Sequence, residues 1–123
     1  MKTILLAEDD PLLALAYTEG VKRAGYEVVH APDGIAAMRL ARRGSYDLIL
    51  LDLLMPNLNG HEFLRGYARW PEPKAKVYVL SNLSDDEDVT RAIGAGAAGF
   101  LVKAELTPTE LGQIVVEALR EYR

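Results

Sequence analysis

The feature that most constrains the fold is an unbroken aliphatic run in the middle of the chain, Leu48–Leu51. A strand that alternates apolar and polar residues has one face in water, whereas a run without polar residues predicts a strand buried on both faces. Such strands are typical of parallel sheets that are covered by helices. Asp52 ends the run, and Pro56, Asn57 and Gly60 behind it predict a loop. The centre of the chain is therefore predicted to be a buried strand that brings a carboxylate to one edge of a parallel sheet.

Five apolar segments alternate with amphipathic segments along the 123 residues. The predicted strands are Ile4–Ala7, Glu27–His30, Leu48–Leu51, Val77–Leu80 and Phe100–Val102. Helix-start residues follow four of the strands: Asp10 with Pro11, Asp33, Ser84 with Glu87, and Thr107 with Pro108 and Glu110. Strands that alternate with helices form a parallel sheet with helices on both faces. The fold class is therefore predicted as α/β, a doubly wound five-stranded parallel sheet, in one domain over residues 1–123.

Two of the helical segments carry residues whose packing can be predicted. Gly20 lies in the middle of the first helix, where glycine costs roughly 1 kcal/mol relative to alanine. That cost is tolerable if the missing side chain lets the helix pack close to the sheet. The spacing of the fourth helix predicts that Val89, Ala92 and Ile93 are buried.

Composition and charge argue against several classes of function. The chain has no cysteine, which excludes disulfides, thiolate metal sites and a thiol nucleophile. The net charge of −4 and the lack of a basic stripe argue against direct binding of nucleic acid. No apolar run approaches the roughly 20 residues of a membrane helix, and Ile4–Ala7 is too short for the core of a signal peptide. The sequence therefore predicts a cytoplasmic protein without a membrane partner.

Polar residues follow four of the five predicted strands. They are Glu8, Asp9 and Asp10 after the first strand, Asp52 after the third, Ser81 after the fourth and Lys103 after the fifth. Parallel strands end at the same edge of a sheet, so these side chains are expected to converge. Two carboxylates about 5 Å apart repel by roughly 3 kcal/mol at an effective dielectric near 20, and one lysine does not balance three acids. A hard cation such as Mg²⁺, which prefers oxygen ligands, would supply the missing positive charge.

The same residues suggest a reaction. Because Pro11 follows it, Asp10 is the natural helix cap, which leaves the other acids for the metal. Lys103 offers a positive charge that suits a phosphoryl oxygen, and Ser81 offers a hydroxyl donor. A carboxylate can act as a nucleophile and form an acyl phosphate. Together these groups suggest phosphoryl transfer to Asp52, with Mg²⁺ and the lysine neutralising charge on the transferred group.

Four sequence blocks, ILLAEDDP, LILLDLLMPNLNG, VYVLSN and GFLVKA, resemble those of response-regulator receiver domains, in the order of that family and across the whole chain. The resemblance implies a flavodoxin-like sheet with strand order 2-1-3-4-5. It implies that Asp52 is phosphorylated by a sensor histidine kinase or a histidine phosphotransfer protein. It further implies that Glu8 and Asp9 form the acid pair that holds Mg²⁺, with Mn²⁺ as the alternative metal. The backbone carbonyl of Leu54 is the implied further ligand.

The resemblance also implies a switch. Ser81 occupies the Ser/Thr position that moves onto the phosphoryl group, Phe100 the aromatic position that turns inward with it, and Lys103 the lysine position of the family. The implied output surface consists of the fourth helix, fifth strand and fifth helix, through which a downstream partner is controlled. Gly94 and Gly96 favour rearrangement at the end of the fourth helix.

The sequence departs from the family at several positions. Ala104 follows the lysine, where the family usually has a proline that shapes the next loop. Ala97 and Ala98 replace an acidic pair that is common in the winged-helix transcription factors of the family, which argues against their ion-paired dimer. Leu54 and Leu83 place apolar side chains beside the predicted acyl phosphate. Because neither can orient a water molecule, the sequence predicts slow self-hydrolysis.

Three classes of function remain open, and a phosphorylation-controlled signalling switch is the favoured one. The second is an enzyme with an aspartyl nucleophile, but haloacid-dehalogenase-type sites carry a second aspartate where Leu54 stands. The third is a flavodoxin-like ligand module or an inactive receiver, which the acidic first loop and the set Asp52, Ser81 and Lys103 disfavour. An inert Asp52–Lys103 salt bridge would leave the other acids unexplained. The chain is expected either to act alone by docking to a partner or to form part of a larger protein.

Overall fold

A computed structural model describes residues 1–72, 74–82 and 86–120 of the chain. Strands and helices alternate along it as the sequence predicts. The strands are β1 (Thr3–Ala7), β2 (Glu27–Ala31), β3 (Leu48–Asp52), β4 (Lys76–Ser81) and β5 (Gly99–Val102). The helices are α1 (Pro11–Arg23), α2 (Gly34–Arg43), α3 (Gly60–Tyr67), α4 (Asp86–Gly94) and α5 (Pro108–Ala118), with a short 3₁₀ helix at Lys103–Glu105. Within the described part of the chain, no helix combines the length and the hydropathy needed to cross a bilayer.

The five strands form one parallel sheet in the order β2-β1-β3-β4-β5. This confirms the α/β class and the strand order. The registers near the carboxyl ends are Ala7 with Leu51, Asp52 with Leu80, and Ser81 with Val102. Because the strand ends are in register, the residues that follow them meet at one edge of the sheet.

The central strand β3 is buried on both faces, as its aliphatic run predicts, and all five of its residues are inaccessible or nearly so. Ile49 and Leu51 pack on the side of α2, α3 and α4. Leu48 and Leu50 pack on the opposite side, against α1 and α5. The position of Asp52 at the end of β3 is therefore fixed by the packed cores on the two sides of the sheet.

Local capping signals start the helices. Asp10 and Asp33 are the N-caps of α1 and α2, and Thr107 forms a capping box with Glu110 at α5, all as predicted. A capping box at α3, formed by Asn59 and Glu62, was not predicted although its spacing is readable in the sequence. The predicted cap of α4 at Ser84 lies outside the described residues.

Gly20 faces α5, so the prediction that it brings α1 close to the sheet was wrong. A Cβ atom at Gly20 would lie 2.2 Å from the carbonyl oxygen of Pro108. A Cβ atom at Gly112 would in turn lie 2.6 Å from the carbonyl oxygen of Gly20. The two glycines let the backbones of α1 and α5 touch, which is why a glycine is tolerated in mid-helix.

The prediction that Ile93 is buried in α4 was also wrong. Ala92 is fully buried and Val89 is half-buried, but the Ile93 side chain is 47% exposed. The helix rests on the sheet along a line centred on Ala92, and the next residue lies about 100° further round the helix axis. Ile93 is therefore at the margin of the contact.

Candidate functional site

The first component of the site is Glu8, which directly follows β1 and has no exposed surface. Its backbone N–H donates to the carbonyl of Ala31 at 3.0 Å. Its own carbonyl lies 2.7 Å from His30 Nε2. The strand β2 therefore holds the Glu8 backbone in place from the side. The Glu8 Oε2 atom accepts the N–H of Asp10 at 3.1 Å, which orients the carboxylate within the loop.

The second component is Asp52, the last residue of β3, whose side chain is almost completely buried. One carboxylate oxygen, Oδ1, accepts the backbone N–H of Leu54 at 3.1 Å. The other oxygen, Oδ2, accepts the Lys103 ammonium group at 2.9 Å. Each oxygen therefore has one protein donor, and the carboxylate is held in one orientation.

Lys103 joins the two buried acids. It begins the 3₁₀ helix after β5, and its Nζ atom lies 2.5 Å from Glu8 Oε1 and 2.9 Å from Asp52 Oδ2. Removing the lysine from this network would leave two buried carboxylates without a counter-charge, so both acids depend on it.

The third acid adds negative charge at the mouth of this network. Glu8, Asp9 and Asp52 each place a carboxylate oxygen within 4.8 Å of the others, and Asp9 is exposed. Three carboxylates therefore face one ammonium group. An all-oxygen set with surplus negative charge fits a hard divalent cation such as Mg²⁺, and an entry side open to water fits a metal that keeps part of its hydration shell.

The burial of these charges changes their protonation. Burial, reinforced by the negative charge of Glu8, raises the pKa of Asp52 from its usual 3.8 to about 7, although the Lys103 hydrogen bond opposes the rise. Burial alone would lower the pKa of Lys103, but the hydrogen bonds and charges of Glu8 and Asp52 outweigh it, so this pKa is raised. The lysine therefore stays charged, whereas the carboxylate of Asp52 titrates near neutrality.

The remaining predicted site residues lie around this centre. Ser81 is the buried last residue of β4, in register with Val102 beside the lysine. Phe100 on β5 is half-buried and packs against the core on the α2–α3–α4 side. The Leu54 side chain is 61% exposed next to Asp52. Ala104 is exposed within the 3₁₀ helix, and Leu83 lies outside the described residues.

Sequence reasoning missed Tyr17 on α1. Its side chain is buried, and its hydroxyl group has no hydrogen-bond partner among the described residues. Burial raises the pKa of Tyr17, with a lowering effect from Lys103 and smaller raising effects from Glu8 and Asp52. The phenol is thus within electrostatic reach of the site. The helical spacing of Tyr17 is typical of a core residue, so the sequence gives no signal that this side chain lies near the site.

The comparison with known families decides the identity of this arrangement. A family model described as the response regulator receiver domain matches residues 4–116. The chain belongs to the response-regulator receiver domains. The domains of this family act in two-component signalling, with histidine kinases on one side and output functions on the other.

Curated relatives of this receiver domain include two transcriptional regulatory proteins. The uncharacterized transcriptional regulatory protein YcbL of Bacillus subtilis is 38% identical over 117 residues, which are 94% of this chain and 50% of the relative. KdpE of Mycobacterium tuberculosis is 33% identical over 103 residues, which are 84% of this chain and 45% of the relative. The chain thus spans about half the length of these relatives, and that residues 1–123 form one domain stays a prediction.

Solved structures of receiver domains have the same fold. The receiver domain of the putative response regulator NarL from Mycobacterium tuberculosis has a TM-score of 0.89 at 28% identity, covering 98% of each chain. The receiver domain of the Francisella response regulator 1452 has a TM-score of 0.85 at 28% identity, covering 97% of this chain and 96% of the other. The fold and the family therefore agree.

Proposed function

We propose that this receiver domain is a phosphorylation-controlled switch in which Asp52 is the phosphoacceptor. The observation that supports this most is the network at the sheet edge, where a buried carboxylate shares its lysine with the buried Glu8 while a third acid stands at the mouth. A network of this kind is costly to keep in a folded protein, and a structural role would need fewer charges.

In the proposed reaction, a carboxylate oxygen of Asp52 attacks the phosphorus atom of a phosphohistidine on a sensor histidine kinase or a phosphotransfer protein. A P–O bond forms and the P–N bond breaks, and the electron pair of the broken bond stays on the imidazole nitrogen. Asp52 becomes an acyl phosphate. Lys103 releases Asp52 Oδ2 and pairs with a phosphoryl oxygen, while the Leu54 N–H keeps the acceptor carboxylate oriented.

Glu8, Asp9 and Asp52, with the backbone carbonyl of Leu54, would hold Mg²⁺, or Mn²⁺ in its place. The bound cation supplies positive charge beside the phosphoryl oxygens, in addition to the lysine. Without it, the acids alone repel an incoming phosphate dianion, so we expect phosphorylation to depend on the metal.

The proposed output follows from the phosphoryl group. The Ser81 hydroxyl donates a hydrogen bond to it, Phe100 turns further into the core, and the face made by α4, β5 and α5 changes for a downstream partner. The domain itself binds no nucleic acid in this proposal, and it catalyses at most its own phosphorylation and dephosphorylation. The cytoplasmic location stays a prediction.

The experiment is phosphorylation by acetyl phosphate, followed by intact-mass spectrometry, with Mg²⁺ or with a chelator. We expect one phosphoryl group with Mg²⁺, none with the chelator, and none in Asp52→Asn. Asp47→Asn is the matched control, because Asp47 precedes the start of the same strand and lies at the opposite edge, where its side chain accepts the N–H of Thr3. Labelling of the Asp52 variant, or labelling without metal, would contradict the proposal.

A further inference from the structure

A second charged region lies on α2, away from the carboxylate cluster. This helix carries three arginines and no acid, in a chain whose net charge is −4. Arg39, Arg42 and Arg43 are all exposed. Among the residues that the structure describes, none of the three forms an ion pair, and only Arg42 has a side-chain partner, the ring of Trp70 at 6.0 Å.

The arginines surround a hollow with apolar walls. Its volume is about 320 Å³, and it is lined by Ile35, Met38, Arg39, Arg42, Arg43 and Leu58. Ile35 is 47% exposed, while Met38 and Leu58 are half-buried against the core. An apolar depression rimmed by unpaired guanidinium groups is complementary to an aliphatic side chain that is flanked by carboxylates.

The hollow is built partly by the segment that follows Asp52. Leu58 closes one side of it, and a Cβ atom at Gly34 would overlap the Leu58 carbonyl, so this segment lies directly against the start of α2. The Asn57 side chain donates to the Asp33 carboxylate at 3.3 Å and adds a second link. A ligand in the hollow therefore touches the loop between β3 and α3.

We propose that this α2 face, defined by Ile35, Met38, Arg39, Arg43 and Leu58, is a docking surface for an acidic protein segment that carries an aliphatic side chain. Nucleic acids and anionic membranes also attract arginine, but they extend beyond the patch and meet the acidic remainder of the chain. A short segment contacts the basic face alone. The surface does not depend on phosphorylation of Asp52 and can be tested in the unmodified protein.

The test is a titration of the ¹⁵N-labelled protein with an acetylated peptide, Glu-Glu-Asp-Leu-Glu-Asp-Glu, followed by amide chemical shifts. We expect shifts in α2 and at Asn57 and Leu58. Arg39→Gln with Arg43→Gln keeps side chains of similar helix propensity and should weaken binding by about tenfold, as expected for two exposed ion pairs. Ile35→Ser, at a half-exposed position, should weaken binding several-fold.

Lys22→Gln with Arg23→Gln is the matched control, because it removes the same charge from α1 on the other face of the sheet and should leave binding unchanged. Any of the following results would overturn the proposal. They are the absence of shifts in α2, an equal effect of the control pair, undiminished binding of a peptide with serine for leucine, and tighter Arg39- and Arg43-dependent binding of anionic vesicles or duplex DNA. Concentration-dependent shifts of the same amides without peptide would instead assign the face to a second copy of the chain, which also overturns it.

Discussion

The two edges of the sheet each hold a lysine, and they hold it differently. At the edge where the strands begin, Lys74 Nζ donates to three backbone carbonyls of the end of α3 and the turn after it, at 3.0, 3.0 and 3.1 Å, and lies over the Tyr67 ring. At the edge where the strands end, Lys103 bridges Glu8 and Asp52. The first lysine meets neutral dipoles at a helix C-terminus, whereas the second is outnumbered by carboxylates.

The difference shows which edge is optimised for stability. A cation at a helix C-terminus satisfies carbonyls that would otherwise lack donors, so Lys74 stabilises the fold. Lys103 only moderates the cost of burying two carboxylates, and Asp9 adds to the surplus negative charge. We therefore infer a structural role for the Lys74 edge, and the proposed phosphorylation belongs to the Lys103 edge.

The largest effect is expected from Lys103→Met. Without the cation, Glu8 and Asp52 face each other unpaired, and we expect the free energy of unfolding to fall by about 3 kcal/mol near neutral pH. Labelling by acetyl phosphate should slow about 100-fold, because one charge that stabilises the transferred group is lost. Urea unfolding and time-resolved intact mass measure the two effects. A wild-type labelling rate in the Lys103→Met variant would contradict the different roles of the two edges.

Lys74→Met should also lower the stability but should not slow the labelling. Three backbone carbonyls lose their donor, and we expect a loss of about 2 kcal/mol in the free energy of unfolding with an unchanged labelling rate. The exposed Lys76→Met on β4 is the control and should change neither quantity. The contrast fails if the Lys74 variant labels more slowly than this control while still folded.

Asp9→Asn tests whether the third acid contributes to Mg²⁺ binding. Removing one carboxylate from the cluster should weaken Mg²⁺ binding about tenfold in isothermal titration calorimetry, with little change in stability because Asp9 is exposed. Asp10→Asn is a close control, since asparagine caps a helix as well as aspartate does. Equal losses of affinity in the two variants would mean that the loop acids act only through their general charge.

The smallest effect is expected from Asp52→Asn on stability. The pKa of Asp52 is raised from 3.8 to about 7, so between these values the folded protein holds a proton that the unfolded chain has lost. The free energy of unfolding should therefore fall as the pH rises through this window. Asparagine does not titrate, and we expect the variant to gain about 1 kcal/mol at about pH 8 relative to about pH 6. Parallel dependence of the free energy of unfolding on pH in wild type and variant would show that the pKa of Asp52 is not raised in the folded protein.

Much of the fold could be predicted because its signals are local. The aliphatic run Leu48–Leu51 identifies the central strand, and Asp10, Asp33 and Thr107 mark helix starts by short-range hydrogen bonds. The strand order came from the family resemblance, since hydrophobic patterns do not say which strands are neighbours. The convergence of the polar residues follows from parallel strands ending together.

What could not be predicted depends on tertiary geometry. Gly20 and Gly112 contact each other although 92 positions separate them in the chain, and no local sequence signal predicts this contact. The exposure of Ile93 is set by how α4 rotates on the sheet. The bonds of Lys74 to the end of α3 and the reach of Lys103 to Glu8 depend on where long side chains extend.

We propose that the buried carboxylate of Asp52 accepts a phosphoryl group, and the position of that group can be located directly. Borohydride reduces an acyl phosphate to an alcohol, so peptide mapping after labelling and reduction identifies the modified residue. We expect homoserine in place of Asp52 when Mg²⁺ is present, and unmodified peptide when it is chelated. A reduced side chain at another aspartate or at a glutamate, or homoserine at position 52 regardless of the metal, would contradict the proposal.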